Sequence, residues 1–181
     1  MGKIVSYFFV SLDGVVEAPD QWHFPYFDDE MGAVVGAGME RAEAFMMGRV
    51  LYEEWSSYWP QSTDELAATF NEMQKYVVSS SLTEEQVEWS NTELVTGDVA
   101  GRLRELKEQA DGDIAMSGSA TLMRWLLANG LLDELGLLVH PIVVGKGRRM
   151  FEDTPTHPLE LVSSNALGSG VLHLVYRPAQ T

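Results

Sequence analysis

Cysteine is absent from the 181-residue chain, and basic residues are few. The lack of cysteine excludes disulfides, thiolate metal ligands and catalysis by a thiol. Only 12 lysines and arginines stand against 27 aspartates and glutamates, which gives a formal net charge of −15. Because polyanions would repel so acidic a chain, we expect neither a nucleic acid nor an anionic membrane as a partner. The charge balance is typical of cytoplasmic enzymes, and we expect a cytoplasmic protein.

Long hydrophobic runs are also missing. The apolar run at 4–12 follows a single lysine and ends at Asp13-Gly14, so it is too short for a membrane span and wrongly flanked for a signal peptide. No repeat, low-complexity tract or linker divides the chain. With 45% hydrophobic residues, a chain of this length can bury one full-sized core. The sequence therefore predicts a single domain spanning residues 1–181.

Short apolar segments alternate with helical patterns along the chain. Residue preferences and turn signals predict strands at 3–12, 44–47, 75–81, 87–95, 114–116, 134–145, 159–163 and 171–177. Apolar spacing and capping residues predict helices at 26–44, 50–58, 63–73, 98–109 and 120–129. Among the caps, Ser62 and Glu65 have the spacing of a capping box, and Asp98 is a candidate N-cap. This order predicts an α/β fold whose last two strands form an antiparallel pair.

A turn of small residues follows the apolar segment at 114–116. Ser117, Gly118 and Ser119 precede a helical pattern, and small residues let a phosphate approach the partly positive amides at a helix start. The loop 145–149 then holds three of the 12 basic residues, which suggests an anionic ligand nearby. Neither a G-x-G-x-x-G nor a G-x-x-x-x-G-K-[ST] motif is present. An ordinary strand–helix turn beside a solvated basic loop explains these residues equally well.

Two other loops follow predicted strands. Gly48 and Arg49 stand between the segment 44–47 and a predicted helix, where Arg49 can pair with a phosphate, although a lone arginine is more often solvated. The loop 17–23, which contains Trp22, follows the first strand. Ligands of open α/β sheets bind outside the carboxyl ends of the strands. We therefore expect this loop to form a wall of a binding site.

Six strings of residues, spread in order over essentially the whole chain, resemble the dihydrofolate reductase-like superfamily. They are Ser11 to Gly14, Met47 to Arg49 with Tyr52-Glu53, Ser79-Ser80, Ser117 to Leu122, Leu132 to Leu135, and Pro141 to Phe151. The last two are most similar to the RibD C-terminal domain, the reductase domain of the riboflavin-biosynthesis deaminase/reductase. The resemblance implies a mixed, mostly parallel eight-stranded sheet flanked by helices, with a C-terminal antiparallel hairpin. It also implies hydride transfer from NADPH to a small heterocycle or to a sugar-derived carbonyl or imine.

The resemblance also implies positions for the cofactor. Gly48, Arg49, Val50, Ser79 and Ser80 would bind its adenosine-phosphate end. The turn formed by Ser117, Gly118, Ser119, Ala120 and Thr121 would hold the pyrophosphate. Ser11 and Trp22 are expected to contact the substrate.

The chain departs from the family pattern at three points. Relatives often have a basic residue and a threonine where this chain has Val50 and Leu51, which reduces the side-chain contacts to phosphate. The Gly-Gly turn of dihydrofolate reductases, which contains a cis peptide bond, corresponds here to Ser117-Gly118. The deaminase half of the riboflavin enzyme is missing, because its zinc site requires cysteine.

Hydride transfer must be accompanied by a proton, and acids near strand ends are candidates to supply it. Asp13 and Asp28 are the predicted catalytic residues. Asp28 is favoured because an apolar wall of Phe24, Tyr26 and Phe27 would favour the protonated carboxyl. Asp28 also has a simpler explanation as an acid at a helix start. No metal is expected, because the four histidines lack the spacing of metal ligands.

Three hypotheses about the function are therefore open. The first is an NADPH-dependent reductase resembling the riboflavin-pathway enzyme, which acts on a small-molecule substrate. The second is true dihydrofolate reduction, and the third is a nucleotide-binding module without turnover. Related domains often form homodimers, and we expect a homodimer here.

Overall fold

The computed structural model describes residues 1–179, and in this range eight strands form one sheet. The strands are β1 (Ile4–Ser11), β2 (Ala42–Gly48), β3 (Gln74–Val78), β4 (Thr92–Val95), β5 (Asp113–Met116), β6 (Glu134–His140), β7 (Leu159–Ala166) and β8 (Leu172–Pro178). Their order across the sheet is β4-β3-β2-β5-β1-β6-β8-β7. The strands from β4 to β6 pair in parallel, whereas β8 pairs antiparallel with β6 and β7. The predicted fold is confirmed, including the C-terminal hairpin.

Helices cover both faces of this sheet. They are α1 (Asp29–Arg41), α2 (Arg49–Tyr58), α3 (Ala67–Glu72), α4 (Val99–Gln109) and α5 (Ala120–Ala128). On one face, α4 and α5 bury leucines such as Leu103 and Leu126 in the largest core cluster. The other face carries two smaller clusters, one under α2 and α3 and the other under α1. The separation of these two clusters leaves room for a cleft above the middle of the sheet.

Within residues 1–179, no helix has both the length and the apolar character needed to cross a membrane.

Several predicted boundaries were wrong. The segment 87–95 is a strand only at Thr92–Val95, and a short 3-10 helix at Glu84–Gln86 precedes it. The strand predicted at 134–145 ends at His140, because the amides of Val144 and Gly145 bind the carboxylate of Asp13 instead of a neighbouring strand. The helix predicted at 26–44 is shortened to Asp29–Arg41, since Phe24–Tyr26 forms a separate 3-10 turn and β2 already begins at Ala42.

The predicted capping box at Ser62 and Glu65 was also wrong. The hydroxyl of Ser62 accepts from the amide of Asp64 at 3.1 Å, and the carboxylate of Asp64 accepts from the amide of Leu66 at 2.9 Å. These polar side chains therefore stabilise two successive tight turns, and α3 begins only at Ala67. The cap at Asp98 is confirmed, because its carboxylate accepts from the amide of Gly101 at 3.0 Å.

Lys75 belongs to β3, and its fully buried side chain lies at the C-terminal end of α3. Its ammonium donates to the carbonyl oxygens of Phe70, Asn71 and Met73 at 2.9, 3.3 and 2.7 Å, and it lies 4.5 Å from the centroid of the Trp89 ring. Burial lowers the pKa of Lys75 to about 8. The carbonyls and the aromatic ring act in the opposite direction, because both stabilise the cation. We therefore expect Lys75 to be charged at neutral pH and to cap the orphan carbonyls of α3.

Replacing Lys75 by methionine tests this cap. Lys75→Met keeps most of the buried stem but removes the ammonium that donates to the carbonyls of Phe70, Asn71 and Met73; of these, the Asn71 carbonyl still accepts from the side-chain amide of Asn91 at 3.3 Å. We expect the free energy of unfolding to fall by about 2–4 kcal/mol, because each buried unpaired acceptor is costly. Urea denaturation measures the change. Lys3→Met, at an exposed position, is the control and should shift stability by less than about 0.5 kcal/mol. Equal stability of the two variants would contradict the assigned role.

Candidate active site

A cleft of about 1050 Å³ lies on the sheet face between α1 and α2. Its floor is formed by side chains and backbone of the four central strands: Tyr7, Phe9, Phe45, Ala115, Gly136 and Leu138. The wall on the α2 side carries Trp55, Trp59 and Phe70, and the α1 wall carries Val34, Val35, Gly38 and Met39. The cleft extends to the carboxyl ends of β2 and β5, where α2 and α5 begin. We call the part above the sheet face the inner chamber and the part at the strand ends the edge.

Two helix N-termini meet at this edge. Gly48 is the N-cap of α2 and Ser119 the N-cap of α5, and a Cβ atom added at Gly48 would lie 3.3 Å from the hydroxyl of Ser119. The Ser119 hydroxyl accepts from the amide of Leu122 at 3.2 Å. The residues at 117–121, together with Arg49 and Val50, line the cleft. Exposed amides of both helices therefore converge at a place suited to phosphate.

The cis peptide bond of this turn joins Gly118 to Ser119. It follows by one position the Ser117-Gly118 bond at which the resemblance suggested it.

Four arginines line the cleft in the described part of the chain: Arg49, Arg124, Arg148 and Arg149. Arg124 donates to the carbonyl of Met150 at 2.8 Å, and Arg149 donates to the carbonyl of Asp13. Arg49 forms an exposed pair with Glu53 through bonds of 3.0 and 2.8 Å. All four belong to α2, α5 or the loop after β6, so the positive charge of the cleft is concentrated at the edge.

Ser79 and Ser80 follow β3 at the same edge of the sheet. Val78 is in register with Gly48, so Ser79 leaves the sheet beside Arg49. The hydroxyl of Ser79 accepts from the amides of Ser81 and Leu82, each at 3.1 Å. Neither serine is among the residues that line the cleft. The structure thus places them next to the predicted phosphate end but outside the cleft itself.

Ser11 and Asp13 join two loops that form the far side of the edge. The buried hydroxyl of Ser11 donates to the Asp13 carboxylate at 2.6 Å and accepts from the amide of Val15 at 2.9 Å. The same carboxylate accepts from the amides of Val144 and Gly145 at 3.0 and 2.8 Å. The Ser11 hydroxyl and the two amides lower the pKa of Asp13 to about 2. A carboxyl held in this ionised state is a poor proton donor, and neither residue lines the cleft.

The loop 17–23 forms a wall of the cleft through Glu17, Ala18, Pro19 and Asp20. Trp22 itself lies behind this wall. Its indole nitrogen donates to the carbonyl of Glu17 at 3.2 Å, and its ring packs edge-on against buried His140 with the centroids 5.2 Å apart. Trp22 therefore supports the wall from inside and does not face the cleft.

Asp28 is the N-cap of α1. Its carboxylate accepts from the amide of Met31 at 2.9 Å, and the residue is not part of the cleft lining. The helix-start explanation accounts for its position, and the structure does not bring Asp28 to the predicted cofactor site. The α1 residues that do line the cleft are all uncharged.

Sequence reasoning missed most of the inner chamber. Glu54 and Trp55 lie on α2, and no motif identifies them as site residues. Trp59 lies in the turn after α2, and its position at a helix end makes it a candidate for a pocket wall from the sequence, with core packing as the equally good explanation. Apolar residues at helical spacing are usually core residues. In this chain, the spacing indicates an inward face but not that the face borders a cleft.

Tyr7 lies at the floor of the chamber between two glycines. It is the direct partner of Gly136 in the β1–β6 pairing, and a Cβ added at Gly136 would overlap its ring. On the α1 side, a Cβ added at Gly38 would be 3.6 Å from the ring, an ordinary contact. The hydroxyl accepts from Arg41 and is 3.5 Å from a carboxylate oxygen of Glu134. Burial raises the pKa of Tyr7, so the hydroxyl stays protonated at neutral pH.

Comparison with known protein families identifies the chain. The family model of the RibD C-terminal domain matches residues 2–173. The chain belongs to the RibD C-terminal domain family. This family is one of reductases. A relative of this RibD C-terminal domain protein, the uncharacterised protein YyaP of Bacillus subtilis, is 28% identical over 182 residues, which cover 96% of this chain and 94% of YyaP.

Several solved structures are similar to nearly the whole chain. A Shewanella sp. PV-4 protein named for riboflavin biosynthesis has 19% identity and a TM-score of 0.77, with 99% of this chain and 100% of that chain covered. Acinetobacter baumannii RibD has 16% identity and a TM-score of 0.71, with 99% of this chain and 59% of that chain covered. The Enterococcus faecalis dihydrofolate reductase, solved with NADP(H), has 14% identity and a TM-score of 0.65, with 99% of this chain and 98% of that chain covered. At these identities the likeness shows a common fold.

Gly136→Ala tests the packing of Tyr7 in the chamber floor. The added methyl group overlaps the ring, so either the ring moves into the cleft or β1 and β6 separate. We expect a loss of about 1–3 kcal/mol in the free energy of unfolding, as for other overpacked sites. Gly38→Ala is the matched control on the opposite side of the ring. It should be neutral or stabilising by up to about 1 kcal/mol, because alanine is favoured in a helix interior. Thermal and urea denaturation of the two variants measure the difference, and equal stabilities would contradict this packing.

Asp13→Asn tests the connection between the two loops. Asparagine keeps the shape but not the charge that binds the amides of Val144 and Gly145. We expect a lower melting temperature, because the loops after β1 and β6 then lose the charged acceptor that joins them. Calorimetry measures the melting temperature.

The pH dependence of this effect has a definite sign. The pKa of Asp13 falls from its ordinary value of 3.8 to about 2, so its stabilising contribution is complete above pH 3.8 and is lost as the pH falls towards 2. The difference in melting temperature between wild type and Asp13→Asn should therefore persist from neutral pH to about pH 4 and shrink below it. Asp111→Asn is the control at an exposed position. We call the bonds from the amides of Val144 and Gly145 to the Asp13 carboxylate the latch. A difference in melting temperature that is constant down to pH 2 would show that the charge of Asp13 does not stabilise the latch.

Proposed function

We propose that the protein is a cytoplasmic NADPH-dependent reductase, similar to the riboflavin-biosynthesis reductase, that transfers hydride to a small heterocyclic or carbonyl substrate. The observation that carries this proposal is the meeting of two helix N-termini at the edge of one cleft, where a Cβ atom at Gly48 would lie only 3.3 Å from the Ser119 hydroxyl. Amide groups and arginines at this edge match the negative charge of a dinucleotide. Membership in a family of reductases supports the same conclusion.

The positions of these groups suggest which part of the cleft binds each part of the cofactor. The turn 117–121 and the start of α2 would hold the pyrophosphate, and Arg49 with the neighbouring Ser79 and Ser80 would bind the adenosine 2′-phosphate. The nicotinamide would enter the inner chamber, where the aromatic walls exclude water from the hydride transfer. Bound NADPH supplies the hydride, and the protein supplies position and a dry environment. Asp13 and Asp28 have structural partners of their own, so we propose that they shape the site and that the accompanying proton comes from elsewhere.

True dihydrofolate reduction is the less favoured alternative. Asp28, the favoured candidate for the proton donor, caps α1 outside the cleft. The α1 wall that faces the chamber consists of Val34, Val35, Gly38 and Met39 and offers no carboxylate to a pteridine. The non-enzymatic alternative is a module that binds a nucleotide but has no turnover. It predicts that NADPH binds but is not oxidised by any substrate.

We also propose that the protein forms a homodimer through the C-terminal hairpin. Leu161 and Val162 of the edge strand β7 are each 55% exposed, and Leu172 of β8 is 43% exposed. Apolar side chains on an edge strand invite pairing with another chain.

Titration with NADPH and NADH, followed by the quenching of tryptophan fluorescence, tests the assignment of the cofactor end. The two cofactors differ only in the 2′-phosphate. Arg49→Ala should weaken NADPH binding by about 10- to 100-fold, as expected for a lost charge-assisted hydrogen bond, while NADH binding changes much less.

Arg104→Ala is the matched control, because Arg104 is exposed on α4 at the opposite face of the sheet. It should leave both affinities unchanged. Equal binding of the two cofactors that is insensitive to Arg49 would refute the proposed phosphate end. Tight binding of NADPH without oxidation by any heterocycle or carbonyl compound would favour the non-catalytic module.

A further inference from the structure

The charges of the cleft are divided between its two parts. Its four arginines lie at the edge, in α2, α5 and the loop 148–149, where the proposed function places the pyrophosphate and the 2′-phosphate of the cofactor. The nearest basic residue on the α1 side is Arg41, which does not line the cleft. It is paired with Asp113 and Glu134 at 3.4 and 3.8 Å and donates to the hydroxyl of Tyr7. Among residues 1–179, the inner chamber therefore receives no cationic side chain.

The α2 wall of the chamber is a packed group of aromatic rings. Phe45 stacks on Trp55 with the centroids 5.1 Å apart, and Phe70 lies 4.8 Å from Trp55 and 4.6 Å from Trp59. These contacts fix the orientation of the rings, so the wall offers a rigid apolar surface. On the opposite side, α1 presents aliphatic side chains. The space between the two walls suits a flat ring.

The floor of the chamber is deepened by small residues. Ala115 and Gly136 lie between the larger side chains of the same sheet face. Gly136 leaves room for the ring of Tyr7, which would overlap a Cβ atom at that position. The chamber can thus accept a ring that reaches down to the strands.

Besides the four arginines, the charged side chains that line the cleft are acidic: Glu17, Asp20, Glu54 and Glu152. Glu17 and Glu152 accept from the amides of Arg148 and Arg149 at 2.6 and 2.8 Å. Glu54 on α2 is exposed and lines the cleft next to Trp55. A phosphate on the substrate would meet this carboxylate and an apolar wall without a counter-ion, and burying an unpaired charge is strongly unfavourable.

From these observations we infer that the substrate is an electrically neutral planar ring compound without a phosphate group. The inference rests on the proposed function, because it assigns the edge to the phosphates of the cofactor and the inner chamber to the nicotinamide together with the substrate. It separates this chain from a reductase that acts on a phosphoribosylated pyrimidine. The chamber selects by shape and by the exclusion of anions, and Glu54, which lines the cleft next to Trp55, is the carboxylate that repels an anionic substrate.

Two matched pairs of probes test the inference: uridine with uridine 5′-monophosphate, and pyridoxine with pyridoxine 5′-phosphate. The members of each pair differ by one phosphate. Isothermal titration calorimetry on the protein saturated with NADP⁺ measures their affinities while the edge is occupied. We expect the neutral member of at least one pair to bind at least about tenfold more tightly than its phosphorylated counterpart, since a tenfold ratio is the least that one uncompensated charge should produce.

Reversal of the charge of Glu54 is the second part of the test. Glu54→Lys should raise the affinity for the phosphorylated probes by about tenfold and leave the affinity for the neutral probes within about twofold, because only the former gain a counter-ion. The position is exposed, so the fold should tolerate the change. Glu65→Lys, exposed but outside the cleft lining, is the matched control and should change neither affinity.

The outcomes separate the inference from the proposed function. A wild-type protein that binds a phosphorylated probe as tightly as its neutral counterpart would overturn the inference, and so would the failure of both neutral probes to bind. An unchanged affinity of Glu54→Lys for the phosphorylated probes would overturn the role of Glu54. In all these cases, intact binding of NADPH leaves the proposed function standing. Failure to bind NADPH or NADH at all would instead overturn the proposed function.

Discussion

The parallel arrangement of β2 and β5 is the constraint on which the rest of the site depends. Parallel neighbours end at the same edge of a sheet, so the helices that follow them begin side by side. Glycine at position 48 removes the side chain that would crowd the hydroxyl of Ser119. The two helix starts therefore approach closely enough for one anionic ligand to contact both. Amide dipoles at fixed positions provide this attraction within a molecule whose overall charge is strongly negative.

The remaining walls of the cleft are held in place by hydrogen bonds and packing contacts within the protein. Ser11 and Asp13 tie the loop after β1 to the loop after β6, and Trp22 supports the segment 17–20 from within. The aromatic group around Trp55 belongs to the core under α2 and α3. The same contacts that stabilise the fold thus give the chamber its shape. The arginines are concentrated at the edge, whereas aromatic and aliphatic side chains line the inner chamber.

The sequence was sufficient to predict the order of the elements, the sheet type and the strand–turn–helix unit around 117–121. These features depend on local patterns, such as small residues before a helical stretch. It was not sufficient for residues whose roles depend on distant partners. Asp28 has the same composition of neighbours whether it faces a cleft or caps a helix, and only the orientation of α1 decides between them. The loop 141–145 has the apolar character of a strand, but the carboxylate of Asp13 binds its amides.

The latch formed by Asp13 also bears on biosynthesis. Its carboxylate and the amides of Val144 and Gly145 are separated by 131 and 132 positions in the chain. Contacts between such remote segments form late, because a long loop must close before they are made. A nascent chain that has not yet emerged beyond β6 can pair several of its strands but still lacks one wall of its binding site. The connection between the loops after β1 and β6 can therefore form only after β6 and the loop that follows it have left the ribosome.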